Sequence, residues 1–162
     1  MSTPPKEDDR WFVVAQLVVV TKKEAGHLKV TTDRIRAVSP NLVWVEALET
    51  NIEGGEMLDA FVSRFGRLQD TLGDKLLPAL LRASLEPIGS QLDNLLRAEK
   101  IGWIDSAERW IEIRALRNRL IHEYVDSAAD LYQALIAALE GVNVLIDTQK
   151  QLAGHATRLK RK

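Results

Sequence analysis

Three polar side chains that could act together on a phosphate group lie within the segment RNRLIHEY, residues 117–124. A histidine, with an ordinary pKa of about 6.5, can exchange protons at neutral pH, and a guanidinium can stabilise the charge of a phosphorane. This combination favours RNA cleavage by transesterification, in which the 2′-hydroxyl attacks the adjacent phosphate without a metal. His122 is the candidate acid/base and Arg117 the phosphate stabiliser. Asn118 could orient the imidazole or contact phosphate.

The helix expected for this segment would place these side chains on two faces, because each residue turns the chain by about 100°. One face, the core strip, has Arg117 at its border. The core strip consists of Ile113, Leu116, Leu120 and Tyr124. The other face, the outer strip, consists of Ile111, Ala115, Asn118 and His122. An outer strip that begins with apolar residues needs a partner, and two copies related by a two-fold axis would join their polar residues in one composite cleft.

Other candidate groups are weaker. Arg114 lies one turn before Asn118 and could add phosphate contacts, although ion pairing with nearby glutamates fits it as well. The basic segment 158–162 could contact an RNA backbone, but such tails are usually solvated. His27 and His155 have no second ligand one turn away, so neither a metal nor another cofactor is predicted.

Length and composition point to one soluble domain. The chain has 162 residues, of which 46% are hydrophobic and 28% charged, and its net charge of −1 provides no overall field for nucleic acid. The absence of cysteine fits a reducing compartment, so the expected location is cytoplasmic. The most apolar run, Trp11–Val20, is too short to cross a membrane, and the acidic residues before it do not suit a signal peptide.

The order of the elements predicts an all-α fold, an antiparallel up-down helical bundle. We expect residues 1–30 to form an N-terminal extension with one helix packed on the bundle, because no partner strand for Trp11–Val20 is found. Residues 31–155 should form the bundle itself and residues 156–162 a basic disordered tail. Within the bundle a break is expected near Ser39 and Pro40.

Glycine and proline indicate turns and helix breaks in the first half of the predicted bundle. Gly54 and Gly55 indicate a turn before a helix whose apolar face runs from Leu58 to Leu81, with a kink expected at Pro78. A shorter helix should follow residues 86–90 and stop near Gly102.

Capping signals mark the last two helices. Asp105 and Glu108 have the spacing of a capping box at the start of the helix that carries the polar segment. Ser127 can cap the last helix, whose alternating steps of four and three from Leu131 to Leu152 should end at Gly154. This heptad face also suits a helical dimer interface.

The segment RNRLIHEY resembles the R-N-x-x-x-H-x-Y signature of the HEPN family, especially the HepT-type toxins that are paired with a small nucleotidyltransferase antitoxin. The wider segment IGWIDSAERWIEIRALRNRLIHEYVD, residues 101–126, is similar to the same part of relatives described as nucleotidyltransferase substrate-binding proteins. In helix order the resemblance covers about residues 55–150. Residues 1–30 have no counterpart in it.

The resemblance implies a dimeric all-α bundle in which Arg117 and His122, assisted by Asn118, form a metal-independent ribonuclease site at the dimer interface. Tyr124 would stand where some family antitoxins attach AMP. The implied partners are a second copy of the chain, a nucleotidyltransferase-type antitoxin and an RNA substrate, with no membrane. Two alternatives stay open: a non-catalytic partner that binds nucleotide or presents substrate to a nucleotidyltransferase, and a purely structural dimerisation module.

Overall fold

The computed structural model of the chain describes residue 3 and residues 6–160, with the side chains of residues 122–126 outside that description. The described part is all-helical and contains no strand, which confirms the predicted class. Its elements are α1 (Glu7–Ala37), α2 (Leu42–Glu46) with a 3-10 turn (Ala47–Glu49), α3 (Ile52–Asp70), a π-helical segment (Thr71–Leu76), α4 (Leu77–Ala83), α5 (Gln91–Lys100), α6 (Ala107–Asp126) and α7 (Ala128–Lys160).

Helices α6 and α7 form an antiparallel hairpin, because the single residue Ser127 connects them. Ser127 caps α7 as expected, since its hydroxyl accepts a hydrogen bond of 3.3 Å from the backbone amide three residues later. Far from this turn, the Gln151 amide donates to the Asp105 carboxylate at 3.0 Å, and nearer to it Gly141 packs against Ile113. Residues at equal distances from the turn therefore face each other.

Helix α1 runs antiparallel to both of its neighbours. Against α7, the Gln149 amide lies 3.3 Å from the Thr21 hydroxyl, and Arg36 donates to the Leu139 carbonyl at 2.8 Å, so numbers fall along α7 as they rise along α1. The rod formed by α3, the π-helical segment and α4, here the α3–α4 rod, packs along the other side of α1. Since this rod and α7 also flank α6, the four long rods form a square with up-down-up-down order.

The expected division at residue 30 falls inside α1, so residues 7–30 and 31–37 belong to one helix of the bundle. Val14, Leu28 and Ile35 are all buried, which shows that one apolar strip continues across the division. The sequence pattern was weak there because valines also occupy the exposed side of the helix, as at Val19 and Val30.

The pair Gly54–Gly55 lies in the first turn of α3 and does not form the expected turn. Asn51 caps this helix, because its side-chain oxygen accepts a hydrogen bond of 3.0 Å from the Gly54 amide. A Cβ at residue 54 would lie 2.6 Å from the Asn51 side-chain nitrogen. The glycine therefore makes room for the cap. The break near Ser39 and Pro40 is confirmed, since α1 ends at Ala37.

The expected capping box at Asp105 is wrong, because the next residue caps α6 with a single hydrogen bond. The Ser106 hydroxyl accepts a hydrogen bond of 3.1 Å from the Arg109 amide and so caps α6, which leaves the Asp105 carboxylate to bind α7. A capping box does occur one helix earlier, where Ser90 and Asp93 bond to each other's backbone amides at the start of α5. Helix α5 ends at Lys100, close to the predicted stop at Gly102.

Helix α7 continues past Gly154 to Lys160, so residues 156–160 are helical and not part of a disordered tail. A single glycine costs a helix only about 1 kcal/mol, too little to end one that is packed along its length. The heptad face is buried within this chain, so it does not provide the expected dimer interface. By length and composition α7 could cross a membrane, with 44% of its apolar window buried inside the bundle, but a single helix of this kind is weak evidence for a membrane span.

The π-helical segment stands where the sequence predicts a kink at Pro78. Proline has no backbone N–H and cannot complete the regular hydrogen bond to the residue four positions earlier. The wider turns of residues 71–76 precede it, and Pro78 itself lies in the first turn of α4. Leu76 and Leu77 are both buried on either side of the change.

Candidate functional site

A cleft of about 500 Å³ opens to solvent between the α3–α4 rod and α6. We call it the charged cleft. It is lined by Val62, Ser63, Gly66, Arg67, Asp70, Thr71, Lys75, Arg117 and Ile121. The two elements run antiparallel here, because Ile121 reaches the level of Val62 while the tryptophan at 110, earlier in α6, packs on Gly73 of the π-helical segment.

Arg117 is the residue of the sequence motif that the structure places in the charged cleft. Its guanidinium forms an ion pair with the Asp70 carboxylate at 3.0 Å and keeps 32% of its side-chain surface exposed. Gly66 permits this position, since a Cβ there would lie only 2.7 Å from the Arg117 Nε atom. The side chain therefore lies across α3, with its charged end at the solvent-exposed side of the cleft.

The charged cleft carries an excess of positive charge. Arg67, Lys75 and Arg117 contribute three cations, whereas Asp70 is the one carboxylate in the lining. Within the described residues, neither Arg67 nor Lys75 forms an ion pair, and both are exposed. A partly enclosed concentration of cations beside low-dielectric helix walls attracts anions such as phosphate.

A half-buried carboxyl group, that of Glu24, lies behind the cleft. Burial raises the pKa of Glu24 above its ordinary value, while the Thr71 hydroxyl and the charges of Arg67 and Lys75 act in the opposite direction. The Thr71 oxygen lies 3.0 Å from Glu24 Oε1 and 2.9 Å from the Arg67 carbonyl, yet a hydroxyl has one proton to donate. The single Thr71 proton is therefore shared between these two acceptors.

Two of the other predicted site residues are described by the structure, and they are not in the charged cleft. Asn118 and Arg114 are exposed on α6, and neither lines the cleft. Glu112, a possible ion-pair partner of Arg114, binds Arg109 at 3.1 Å. The side chains of His122 and Tyr124 lie outside the described residues, so their predicted roles stay predictions.

The two strips of α6 separate as the angular argument predicts. Ile113, Leu116 and Leu120 of the core strip are buried. In the outer strip, Ile111 is 43% exposed, and Ala115 and Asn118 are exposed too. Among the residues that the structure describes, no element covers this part of the outer strip, so it is exposed and can contact another molecule.

Sequence reasoning missed the cleft residues that α3 and the π-helical segment contribute. Ser63, Arg67 and Asp70 recur at steps of four and three, which already indicates a polar face on one helix. The pattern does not indicate which other helix packs beside this polar face. Asp70 and Arg117 are 47 residues apart, and only the order of the rods in the bundle brings them together.

No family model matches the chain, and no curated protein and no solved structure matches it either. The family resemblance of residues 101–126 accordingly rests on the motif itself.

Proposed function

We propose that the chain is a metal-independent endoribonuclease of HEPN type, the toxin of a toxin-antitoxin pair whose antitoxin is a nucleotidyltransferase. In this proposal it acts in the cytoplasm as a homodimer. The observation that carries the proposal is the position of Arg117, whose guanidinium is fixed at an open cleft with excess positive charge. The same helix presents the uncovered outer strip, on which a second copy could complete the site.

In the proposed reaction His122 takes the proton of the RNA 2′-hydroxyl as its oxygen bonds to phosphorus. The bond to the 5′-oxygen then breaks, and this oxygen receives a proton from His122, which leaves a 5′-hydroxyl and a 2′,3′-cyclic phosphate. Arg117 stabilises the additional negative charge of the phosphorane. Arg67 and Lys75 hold neighbouring phosphates of the strand. The half-exposed bond between Arg117 and Asp70 is worth at most about 1 kcal/mol, so an incoming phosphate can compete with the carboxylate.

The decisive experiment measures cleavage of a labelled RNA by the purified chain in excess EDTA. Arg117→Ala and His122→Ala should each lower the cleavage rate by about 100-fold or more, since they remove charge stabilisation and proton transfer. Arg109→Ala is the matched control, because Arg109 is also an ion-paired arginine on α6 but lies outside the charged cleft. Full activity of His122→Ala would reject the enzymatic mechanism.

One observation favours the binding-only alternative: Asp70 already counters part of the Arg117 charge. In that case the wild-type chain binds RNA or a nucleotide but releases no cleaved product, and Arg117→Ala weakens binding alone. Modification of the tyrosine is tested by co-expression with a nucleotidyltransferase. The intact mass should rise by one AMP in the wild type and stay unchanged in Tyr124→Phe.

A further inference from the structure

The amino-terminal half of α1 carries an exposed face that no element within residues 6–160 covers. We call it the α1 outer face. Its members are Asp9, Phe12, Val13, Gln16, Val19, Val20 and Lys23, and all seven are exposed. The four apolar members keep between 42% and 63% of their surface exposed. An apolar patch with charged ends is typical of an interaction surface.

The order of residues on the α1 outer face is symmetric about Gln16. Asp9 and Lys23 stand seven positions away on either side, Phe12 and Val20 four positions, and the remaining two valines three positions. Steps of three, four and seven keep residues on one helical face. The order of apolar and charged residues on this face is therefore the same from either end, except that the residues at its two ends have opposite charges.

This symmetry fits a second copy of the same helix in antiparallel orientation. A two-fold axis through Gln16 would place Asp9 of each copy opposite Lys23 of the other, and Phe12 opposite Val20. In each helix Asp9 and Lys23 are about 21 Å apart along the axis, so both charge pairs form together. Neither residue has an ion-pair partner within the described residues.

A groove beside the α1 outer face provides room for the larger side chain of the second copy. It has a volume of about 790 Å³ and lies between α1 and the α3–α4 rod. Val13 and Val20 line one wall, and Ala79 belongs to the opposite wall. Since Phe12 of the second copy would stand opposite Val20, its ring would enter this apolar groove.

We propose that the α1 outer face is a self-complementary interface, through which two copies of the chain associate with antiparallel α1 helices about an axis at Gln16. Helices α1 and α6 stand at opposite corners of the bundle, so this interface is separate from the outer strip. The proposal does not depend on RNA cleavage, and it stands or falls on association alone. Where both surfaces pair, the assembly grows beyond a dimer.

Position 16 allows a direct test, because the chain has no cysteine. Gln16→Cys should form a disulfide-linked species of twice the 18.2 kDa chain mass under mild oxidation. Val30→Cys is the control, since Val30 is 58% exposed on the same helix but would lie about 42 Å from its own copy. Cross-linking of Gln16→Cys that is no faster than that of Val30→Cys would overturn the proposal.

Charge exchange gives a second, independent test by mass measurement in solution. Asp9→Lys and Lys23→Asp should each raise the dissociation constant of this association about tenfold or more, because each places like charges opposite each other twice. The double variant with both exchanges should restore association, and circular dichroism checks that every variant remains folded. If the face binds a different protein or an apolar surface instead, the double exchange will not restore self-association, and the proposal fails.

Discussion

Gly66→Ala separates the position of the Arg117 guanidinium from the stability of the bundle. The added methyl group would stand 2.7 Å from Arg117 Nε, whereas ordinary contacts of a Cβ begin at 3.4 Å. The far end of the arginine can move away, but its 3.0 Å bond to Asp70 must then lengthen or break. The fold itself should persist, because the clash involves a flexible side chain.

Two opposing effects set the expected change in the free energy of unfolding. Replacing a helical glycine by alanine stabilises a helix by about 0.5–1 kcal/mol, and losing a half-exposed ion pair costs about 0–1 kcal/mol. The net change for Gly66→Ala should therefore lie between about −0.5 and +1 kcal/mol. Gly154→Ala is the matched control, since nothing lies within 4 Å of its added Cβ, and it should show the full gain.

Urea unfolding and RNA cleavage, measured on the same samples, test this reasoning. If the proposed mechanism holds, Gly66→Ala should displace Arg117 by a fraction of an ångström to 1 Å and reduce the rate of RNA cleavage about 10- to 100-fold. Gly154→Ala should keep wild-type activity. Equal stabilisation in both variants, together with unchanged cleavage in Gly66→Ala, would refute the view that α3 fixes Arg117.

Two titratable groups give opposite pH dependences of stability. Burial raises the pKa of Glu24 above 4.5, so Glu24 contributes to the free energy of unfolding below about pH 4.5. This contribution is lost as the pH rises through the folded-state pKa. Glu24→Gln should remove this loss, which urea titrations at several pH values would measure. Burial, and then the charge of Arg158, lower the pKa of His155 below 6.5. The contribution of His155 to the free energy of unfolding is therefore present above pH 6.5 and is lost as the pH falls through the folded-state pKa. His155→Gln should reduce the decline of the thermal unfolding temperature at low pH. If this variant keeps the wild-type pH dependence, the lowered pKa of His155 is contradicted.

The periodicity of apolar residues predicted the packing of the bundle better than the glycine pattern predicted where its helices end. Leu58, Leu120 and Leu145 are buried as their spacing requires, because the burial of an apolar stripe is the main force that holds each helix in place. Glycine was a mixed guide to helix ends, because α5 stops close to Gly102 but two other glycines did not end a helix. Gly54 and Gly154 both lie inside helices, where close packing or the stability of a long helix outweighs the local cost.

The candidate site was predictable only in the part that one helix contains. The angular position of Arg117 at the border of the core strip followed from its spacing to Leu116 and Leu120. Its partner Asp70 and the glycine that accommodates it belong to another rod, and no local pattern indicates which rods become neighbours. The sequence predicted a helix within residues 1–30, but the weak apolar pattern of α1 indicated neither its continuation to Ala37 nor its neighbours in the bundle.

The π-helical segment amounts to a one-residue insertion in an otherwise continuous rod. A π-turn closes its hydrogen bond over five residues instead of four, so the rod advances by one residue without changing the faces that follow. A relative with an uninterrupted helix would align with this chain only through a single gap between residues 71 and 76. Without that gap, every side chain on one side of the segment would be assigned a face about 100° from its true one.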